Sequence, residues 1–172
     1  MYTIDKQQAQ YETYILSDEI NHSRLEVVPA RGGIITRWRI QGQNILYFDA
    51  ERFSQPNLSL RGGIPILFPI CGNLPHNSYT HQGKTYQLKQ HGFARDLPWE
   101  VIATETQESA QMILQLTSND YTLRVYPFAF SLRFTYQLQG NKLTILQVYE
   151  NLSQETMKFS CGFHPYFLTE DK

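Results

Sequence analysis

A strict alternation of apolar and polar residues in the second half of the chain is the feature that most limits its possible folds. Five apolar residues, Phe130, Leu132, Phe134, Tyr136 and Leu138, stand two positions apart with polar residues between them. A period of two puts all five side chains on one face of an extended strand, whereas a helix would scatter them around its axis. We therefore predict a β-strand with one buried face and one wet face.

Neighbouring segments repeat this pattern at short intervals. A turn at Gly140-Asn141 is predicted to lead into a second strand at 143–151, which makes a hairpin. A further strand is predicted at 112–116, followed by another at 121–126. No amphipathic helix of twelve or more residues is evident. Shorter β-rich runs occur earlier in the chain, at 14–16, 25–28, 34–40 and 45–48.

Many short strands, together with an aromatic content of 13%, predict an all-β chain that forms a sandwich or barrel. The 172 residues contain no repeat or linker, so a single domain over residues 1–172 is expected. Residues 57–90 lack periodicity and are interpreted as one long functional loop. Because the chain stops just after an aromatic, strand-like segment at 162–168, we expect that the C-terminal part of the domain is missing.

Charge and cysteine content exclude several functional classes. Fifteen basic and sixteen acidic residues give a net charge of −1, which provides no surplus for general binding to nucleic acid or an anionic membrane. There is no eighteen-residue apolar run and no apolar leader, so a cytoplasmic location without a membrane span is expected. Cys71 and Cys161 are too far apart in sequence for a paired zinc motif, and Cys71 is interpreted as a small buried residue.

Two histidines are the first candidates for chemistry. His91 precedes Gly92, where the backbone is expected to approach a ligand closely, and Arg95 would share its face if the segment were extended. His164 has aromatic neighbours, which predict partial desolvation and a neutral imidazole suited to acid or base work. The alternative for each is a core histidine satisfied by one backbone carbonyl.

The remaining candidates are less specific. Arg61 precedes two glycines and a long apolar run, and it is a surface charge, a buried anchor, or a guanidinium that binds sugar hydroxyls or phosphate. The glycine pair matches neither a dinucleotide nor a P-loop signature. His76 and His81 lie five positions apart without neighbouring carboxylate or thiolate ligands, so they are interpreted as solvated loop residues and no metal site is predicted.

Three motifs contain most of these candidates, in the order Arg61–Pro69 (RGGIPILFP), Gln90–Arg95 (QHGFAR) and Phe163–Phe167 (FHPYF). Together they resemble the aldose 1-epimerase (galactose mutarotase-like) superfamily, and within it the hexose-6-phosphate 1-epimerase branch. The similarity runs from about residue 20 to the end. It implies a large antiparallel β-sandwich with a sugar cleft on one face, and chemistry that needs no cofactor or metal.

The resemblance also implies a role for each candidate. His164 matches the general acid that protonates the sugar ring oxygen, and His91 matches a histidine that hydrogen-bonds the sugar near the reaction centre. Arg61 matches a substrate-binding arginine, and Arg95 joins it in binding phosphate in the hexose-phosphate branch. The reaction opens a hemiacetal: one proton leaves O1 while another reaches the ring oxygen. The aldehyde then rotates about C1–C2 and closes on its other face.

Two further expectations follow from the resemblance. Phe93, Tyr166 and Phe167 are expected to stack on the apolar face of a pyranose. In the family, the base glutamate and a sugar-binding aspartate lie beyond the FHPYF motif, and Glu170 and Asp171 do not match them. The chain is therefore expected to hold the acid half of the site and to be inactive or very weak alone.

Three functions are consistent with the sequence. The leading one is an isomerase that interconverts the α and β anomers of an aldohexose or its 6-phosphate. The second is a non-catalytic carbohydrate-binding β-sandwich, in which the cleft is kept and the base is absent. The third is a structural sandwich, which would make three polar motifs coincidental. The expected partner is a small sugar or sugar phosphate, with no nucleic acid or membrane, and the oligomeric state is left open.

Overall fold

The computed structural model describes residues 1–169, which form an antiparallel β structure with a few short helices. The strands are β1 (Tyr2–Gln8), β2 (Glu12–Asp18), β3 (Ser23–Val28), β4 (Ile34–Ile40), β5 (Gln43–Asn44), β6 (Ile66–Leu67), β7 (Ser78–His81), β8 (Lys84–Gln87), β9 (Glu100–Glu105), β10 (Ala110–Thr117), β11 (Phe130–Gln139), β12 (Lys142–Asn151) and β13 (Gly162–Phe163). The helices are α1 (Ala50–Phe53), α2 (Asp120–Val125) and two 3-10 turns, Pro75–Asn77 and Ala94–Asp96.

Two sheets build the sandwich, as the strand pattern predicts. One has five strands in the order β1-β2-β3-β4-β5, and the other has four in the order β12-β11-β10-β9. Two smaller pairs, β13-β6 and β7-β8, lie outside these sheets. Every pairing between these strands is antiparallel. The predicted all-β, antiparallel sandwich class is therefore confirmed.

The core lies between the two sheets and is centred on β11. Its alternating residues are fully buried, and the register sets Phe134 opposite Leu114 and Tyr136 opposite Met112 on β10. These side chains pack in the same cluster as residues of β2 and β3. The Tyr136 hydroxyl crosses the core and donates a 2.8 Å hydrogen bond to the carbonyl of Gly33. The hairpin predicted around Gly140-Asn141 is confirmed.

The strand predicted at 121–126 is wrong, because this segment forms helix α2. The Asn119 side chain caps the helix by accepting from the backbone N–H groups of Tyr121 and Thr122. The Thr122 hydroxyl in turn accepts from the Asn119 N–H, which completes a capping box. A six-residue pattern is too short for its periodicity to outweigh such a cap. No helix within residues 1–169 has the length and apolar character needed to cross a membrane.

The long loop predicted at 57–90 is also wrong in part, because it contains β6, a 3-10 turn and the β7-β8 hairpin. The hairpin is fixed to α2 by the Tyr79 hydroxyl, which donates to the Val125 carbonyl at 2.9 Å. His81 is not a free loop side chain: its Nε2 lies 3.0 Å from the Glu155 carboxylate. The β7-β8 hairpin is thus joined to the segment after β12 through His81 and Glu155.

Candidate functional site

Both candidate histidines are fixed to one stretch of backbone, residues 65–72. The N–H of His164 donates to the carbonyl of Pro65 at 3.1 Å, directly after β13 pairs with β6. At the other end, the N–H of His91 donates to the carbonyl of Gly72 at 2.9 Å. The RGGIPILFP segment and the residues just after it therefore set the positions of both histidine backbones, although these are 73 residues apart in sequence.

His91 is partly buried and is constrained at both its backbone and its ring. Its Nδ1 forms a short hydrogen bond with the carbonyl oxygen of Cys71. Because a carbonyl oxygen only accepts, Nδ1 must carry a proton, which leaves Nε2 to bond with a ligand. The residue also has a positive φ of 67°, a conformation uncommon outside glycine that often marks functional sites.

The Gly92 backbone packs closely against the backbone of Phe68, whereas the sequence predicted a close approach to a ligand. A Cβ at this position would lie 2.2 Å from the Phe68 carbonyl oxygen. That oxygen accepts from the N–H groups of Phe93 and Ala94, at 3.0 and 3.2 Å. The glycine thus lets the QHGFAR segment dock against the RGGIPILFP segment.

His164 lies next to His91, with ring centroids 6.2 Å apart and planes inclined by 64°. Its ring also contacts that of Tyr166, at 4.6 Å between centroids. The expected desolvation of His164 is wrong, because its side chain is exposed. Its aromatic neighbours in sequence flank the ring without covering it. An exposed imidazole can exchange protons directly with a ligand or with water.

Arg61 is exposed and lines a cavity of about 610 Å³ that neither histidine lines. Tyr47, Tyr166 and Phe167 form other parts of its wall. Tyr166 connects this cavity to the site because its ring also contacts His164. Backbone hydrogen bonds hold the wall in place: the Tyr47 N–H donates to the Tyr166 carbonyl at 2.9 Å.

Arg95 is placed differently from the sequence expectation. It lies in a 3-10 turn, so it does not share a strand face with His91. Its guanidinium donates to the carbonyl of Gln90 at 3.3 Å. Arg95 does not line the cavity that contains Arg61, and no hydrogen bond or ring contact joins it to either histidine within residues 1–169. The pairing of Arg61 with Arg95 on a phosphate stays a prediction.

Two other expectations need correction. Phe93 cannot stack on a sugar, because it is 1% exposed and packs parallel to Phe130 in the core. Cys71 is partly exposed rather than buried. By contrast, Phe167 is 58% exposed and remains available to a ligand. Glu170 and Asp171, which do not match the family's glutamate and aspartate, lie outside the described residues.

Sequence reasoning missed Ser160 and Tyr149. Ser160 accepts from the N–H of Cys71 through its hydroxyl, and no motif or spacing marks it. Burial raises the pKa of Tyr149 well above its ordinary value, and a hydrogen bond with the Cys161 thiol acts in the same direction. The phenol therefore stays protonated and is unsuited to act as a base. Within residues 1–169, no group of three His, Cys, Asp or Glu side chains is arranged to hold a metal ion.

The arrangement suits proton transfer to and from a small polar ligand. Two imidazoles stand side by side, one fixed through Nδ1 and the other exposed, and a guanidinium lies at the adjoining cavity. Within residues 1–169, no carboxylate forms a hydrogen bond or ion pair with His91 or His164. The described residues thus place two imidazoles next to each other without a carboxylate bonded to either.

Comparison with known proteins gives consistent matches. The family model described as aldose 1-epimerase matches residues 14–172. A Cenchrus ciliaris protein, named as a proposed glucose-6-phosphate 1-epimerase, is 28% identical over 81% of this chain and 42% of its own length. The crystal structure of the Slr1438 protein from Synechocystis sp. PCC 6803 is 57% identical with a TM-score of 0.94, over all of this chain and 60% of that one. A galactose mutarotase related enzyme from Lactobacillus acidophilus is 33% identical with a TM-score of 0.79, over 92% of this chain and 50% of that one. The chain thus spans about half the length of these relatives.

Proposed function

Because the chain belongs to the aldose 1-epimerase family, we propose that it carries the acid side of a site that interconverts the α and β anomers of an aldohexose or hexose 6-phosphate. The observation that supports this most is the contact between His91 and His164, with ring centroids 6.2 Å apart. The two residues come from separate motifs, and Tyr166, which contacts the His164 ring, also lines the cavity that contains Arg61. This arrangement fits a reaction that moves two protons on one small ring.

His164 is proposed as the general acid. Its exposed ring can deliver a proton to the sugar ring oxygen as the bond between that oxygen and C1 breaks. The Nδ1–H of His91 donates to the Cys71 carbonyl, so in the neutral ring Nε2 is an acceptor for a nearby sugar hydroxyl. The open-chain aldehyde rotates about C1–C2 and closes on its other face, which returns the proton. A positioned acid of this kind contributes roughly 10²- to 10⁴-fold to the rate.

The base that accepts the O1 proton is proposed to be a glutamate that is not among these 172 residues, since Glu170 does not match the family's base. This follows from the family resemblance and agrees with the lack of a carboxylate at either histidine within residues 1–169. The 172-residue chain alone is then inactive or very weak. The second candidate function, a carbohydrate-binding module without catalysis, is favoured by this same observation.

The substrate class is proposed to include sugar phosphates. A relative named as a proposed glucose-6-phosphate 1-epimerase supports this, as does the exposed guanidinium of Arg61 at the cavity. A planar guanidinium can bind phosphate oxygens through two parallel hydrogen bonds. Arg95 is proposed as a second phosphate contact, and it would have to turn away from the Gln90 carbonyl to reach the same group.

Anomeric exchange measured by NMR tests the proposal. Exchange of glucose and of glucose 6-phosphate is followed with the 172-residue chain and with the protein extended at its C-terminus to its natural stop. We expect exchange above the uncatalysed rate only in the extended protein, and faster exchange with the phosphate than with the free sugar. Sugar binding without exchange in both proteins would favour the binding module. Equal rates for the two sugars would overturn the phosphate proposal.

A further inference from the structure

Ser160 is hydrogen-bonded twice to the segment that supports His91. Its hydroxyl accepts from the N–H of Cys71 at 3.1 Å. Its own N–H donates to the carbonyl of Pro69 at 2.9 Å. One exposed serine thus holds residues 69–71 from one side through both its side chain and its backbone.

His91 binds the same segment from the other side. Its N–H donates to the carbonyl of Gly72, and its Nδ1 to the carbonyl of Cys71. Cys71 therefore stands between Ser160 and His91, with its N–H bonded to one and its carbonyl bonded to the other. The direction of the Cys71 carbonyl decides how well it accepts from the imidazole, because hydrogen bonds weaken steeply as their angle falls.

We propose that Ser160 is a positioning residue that acts through Cys71 to fix the tautomer and orientation of the His91 imidazole. This inference rests on the proposed function, in which the His91 imidazole accepts a hydrogen bond from a sugar hydroxyl. Ser160 also lies four residues before His164, on the segment that continues into β13. It therefore connects the backbone that carries the proposed acid to the backbone that orients its partner.

The two ring nitrogens of a neutral imidazole have opposite hydrogen-bonding roles. When the Cys71 carbonyl accepts from Nδ1, the neutral ring carries its proton there and leaves Nε2 as an acceptor. If Ser160 loses its hydroxyl, the Cys71 N–H loses this partner, which leaves the backbone dihedrals of Cys71 less restrained. The following peptide unit, which carries the Cys71 carbonyl, can then turn away from the ring. The carbonyl then accepts less well, and the proton shifts toward Nε2. That nitrogen would become a donor and could no longer accept from a sugar hydroxyl.

The tautomer of His91 can be read by long-range ¹H–¹⁵N NMR of the 172-residue chain without any sugar. In the parent protein we expect the Nδ1–H form to dominate at a pH where the ring is neutral. Ser160→Ala should lower the ratio of Nδ1–H to Nε2–H by up to about five-fold, the equivalent of one net hydrogen bond. Ser160→Thr, which keeps a hydroxyl, should restore the parent ratio.

Ser153→Ala is the matched control. The Ser153 hydroxyl also accepts a backbone N–H from a distant residue, Ala129, at 2.7 Å, but it has no connection to His91. This variant should leave the His91 tautomer unchanged. If Ser160→Ala gives a poorly dispersed amide spectrum, Ser160→Cys replaces it, since a thiol is a weak acceptor of similar size.

An unchanged tautomer ratio in the folded Ser160 variants would overturn the positioning role. An equal change in Ser153→Ala would do the same, because it would show a general loosening of the fold. Since the readout requires no sugar and no turnover, it is separate from the anomeric exchange that tests the proposed function. Ser160 can orient His91 even if no sugar is turned over, and exchange can occur even if Ser160 has no part in it.

Discussion

Replacing Gly92 with alanine should separate two motif segments that the site needs in contact. Gly92 has a φ of +71°, and an added Cβ would lie 2.2 Å from the carbonyl oxygen of Phe68. Cβ atoms in proteins essentially never come within 3.0 Å of such an atom, so the two backbones must move apart by about 1 Å. The same oxygen accepts from Phe93 and Ala94, so both hydrogen bonds would lengthen past their useful range.

The expected loss of stability can be worked out from these contacts. An L-residue in the left-handed region is destabilised by about 1–2 kcal/mol. The two hydrogen bonds contribute about 1 kcal/mol each. Alanine also gives back roughly 0.4–1 kcal/mol by restricting the unfolded chain. Gly92→Ala should therefore lower the free energy of unfolding by about 3 kcal/mol, a large part of the total for an ordinary domain.

Gly83→Ala provides the matched control, because Gly83 has a similar φ of +76° with nothing within 4 Å of the added Cβ. Only the conformational terms apply there, so the loss should be about 1 kcal/mol. Urea unfolding followed by fluorescence of the buried Trp99 measures both variants. With a typical urea slope of about 2 kcal/mol per M, the two midpoints should differ by about 1 M. Equal midpoints would refute the argument that Gly92 serves the close approach to Phe68.

Two further substitutions test the sandwich itself. Tyr136→Phe removes the donor to the buried Gly33 carbonyl and should lower stability by about 1–3 kcal/mol in urea unfolding, while an unchanged midpoint would show that this bond contributes nothing. Burial would raise the pKa of Asp18, but hydrogen bonds from Asn21 and the Gly140 N–H outweigh it and hold the pKa below its ordinary value. Because the carboxyl pKa is lower in the folded state, the ionised Asp18 stabilises the protein above pH about 4, and this stabilisation is lost as the pH falls through the folded pKa. The stability difference between the parent and Asp18→Asn should therefore shrink in acid. A difference that stays constant from pH 7 to pH 3 would contradict this.

The sheet framework could be predicted because burial on one face leaves a period of two in the sequence. The period of two predicts the β11-β12 hairpin, and all five apolar residues of the pattern are buried, although Ser131 on the predicted wet face is buried too. Helix α2 was missed because its formation depends on a local cap at Asn119 rather than on periodicity. The β7-β8 hairpin was missed for a different reason: its strands have four residues each, which is too short to show alternation.

A buried arginine shows a second limit of sequence reasoning. Arg31 is 8% exposed and donates to the Tyr11 hydroxyl and to three backbone carbonyls, those of Phe53, Gln55 and Leu58. It holds the segment that leads from α1 toward the RGGIPILFP motif. Backbone carbonyls carry no residue-specific signal, so nothing in the sequence identifies the partners of such a side chain.

For the candidate site, the sequence indicates a set of residues but not their geometry. His91 and His164 were chosen from their motifs, and their proximity depends on hydrogen bonds to Cys71, Gly72 and Pro65 that no spacing reveals. Arg95 was expected on an extended segment, but a 3-10 turn at this position changes the direction of its side chain.

The most direct test of the central claim is the anomeric exchange rate of the C-terminally extended protein when His164 is replaced by alanine. A general acid that delivers the ring-oxygen proton predicts a fall in kcat of roughly 10²- to 10⁴-fold. His76→Ala is the control, since His76 lies in an exposed 3-10 turn, and it should leave the rate unchanged. A His164→Ala protein that exchanges anomers as fast as its parent would show that the paired histidines are not the acid side of the site.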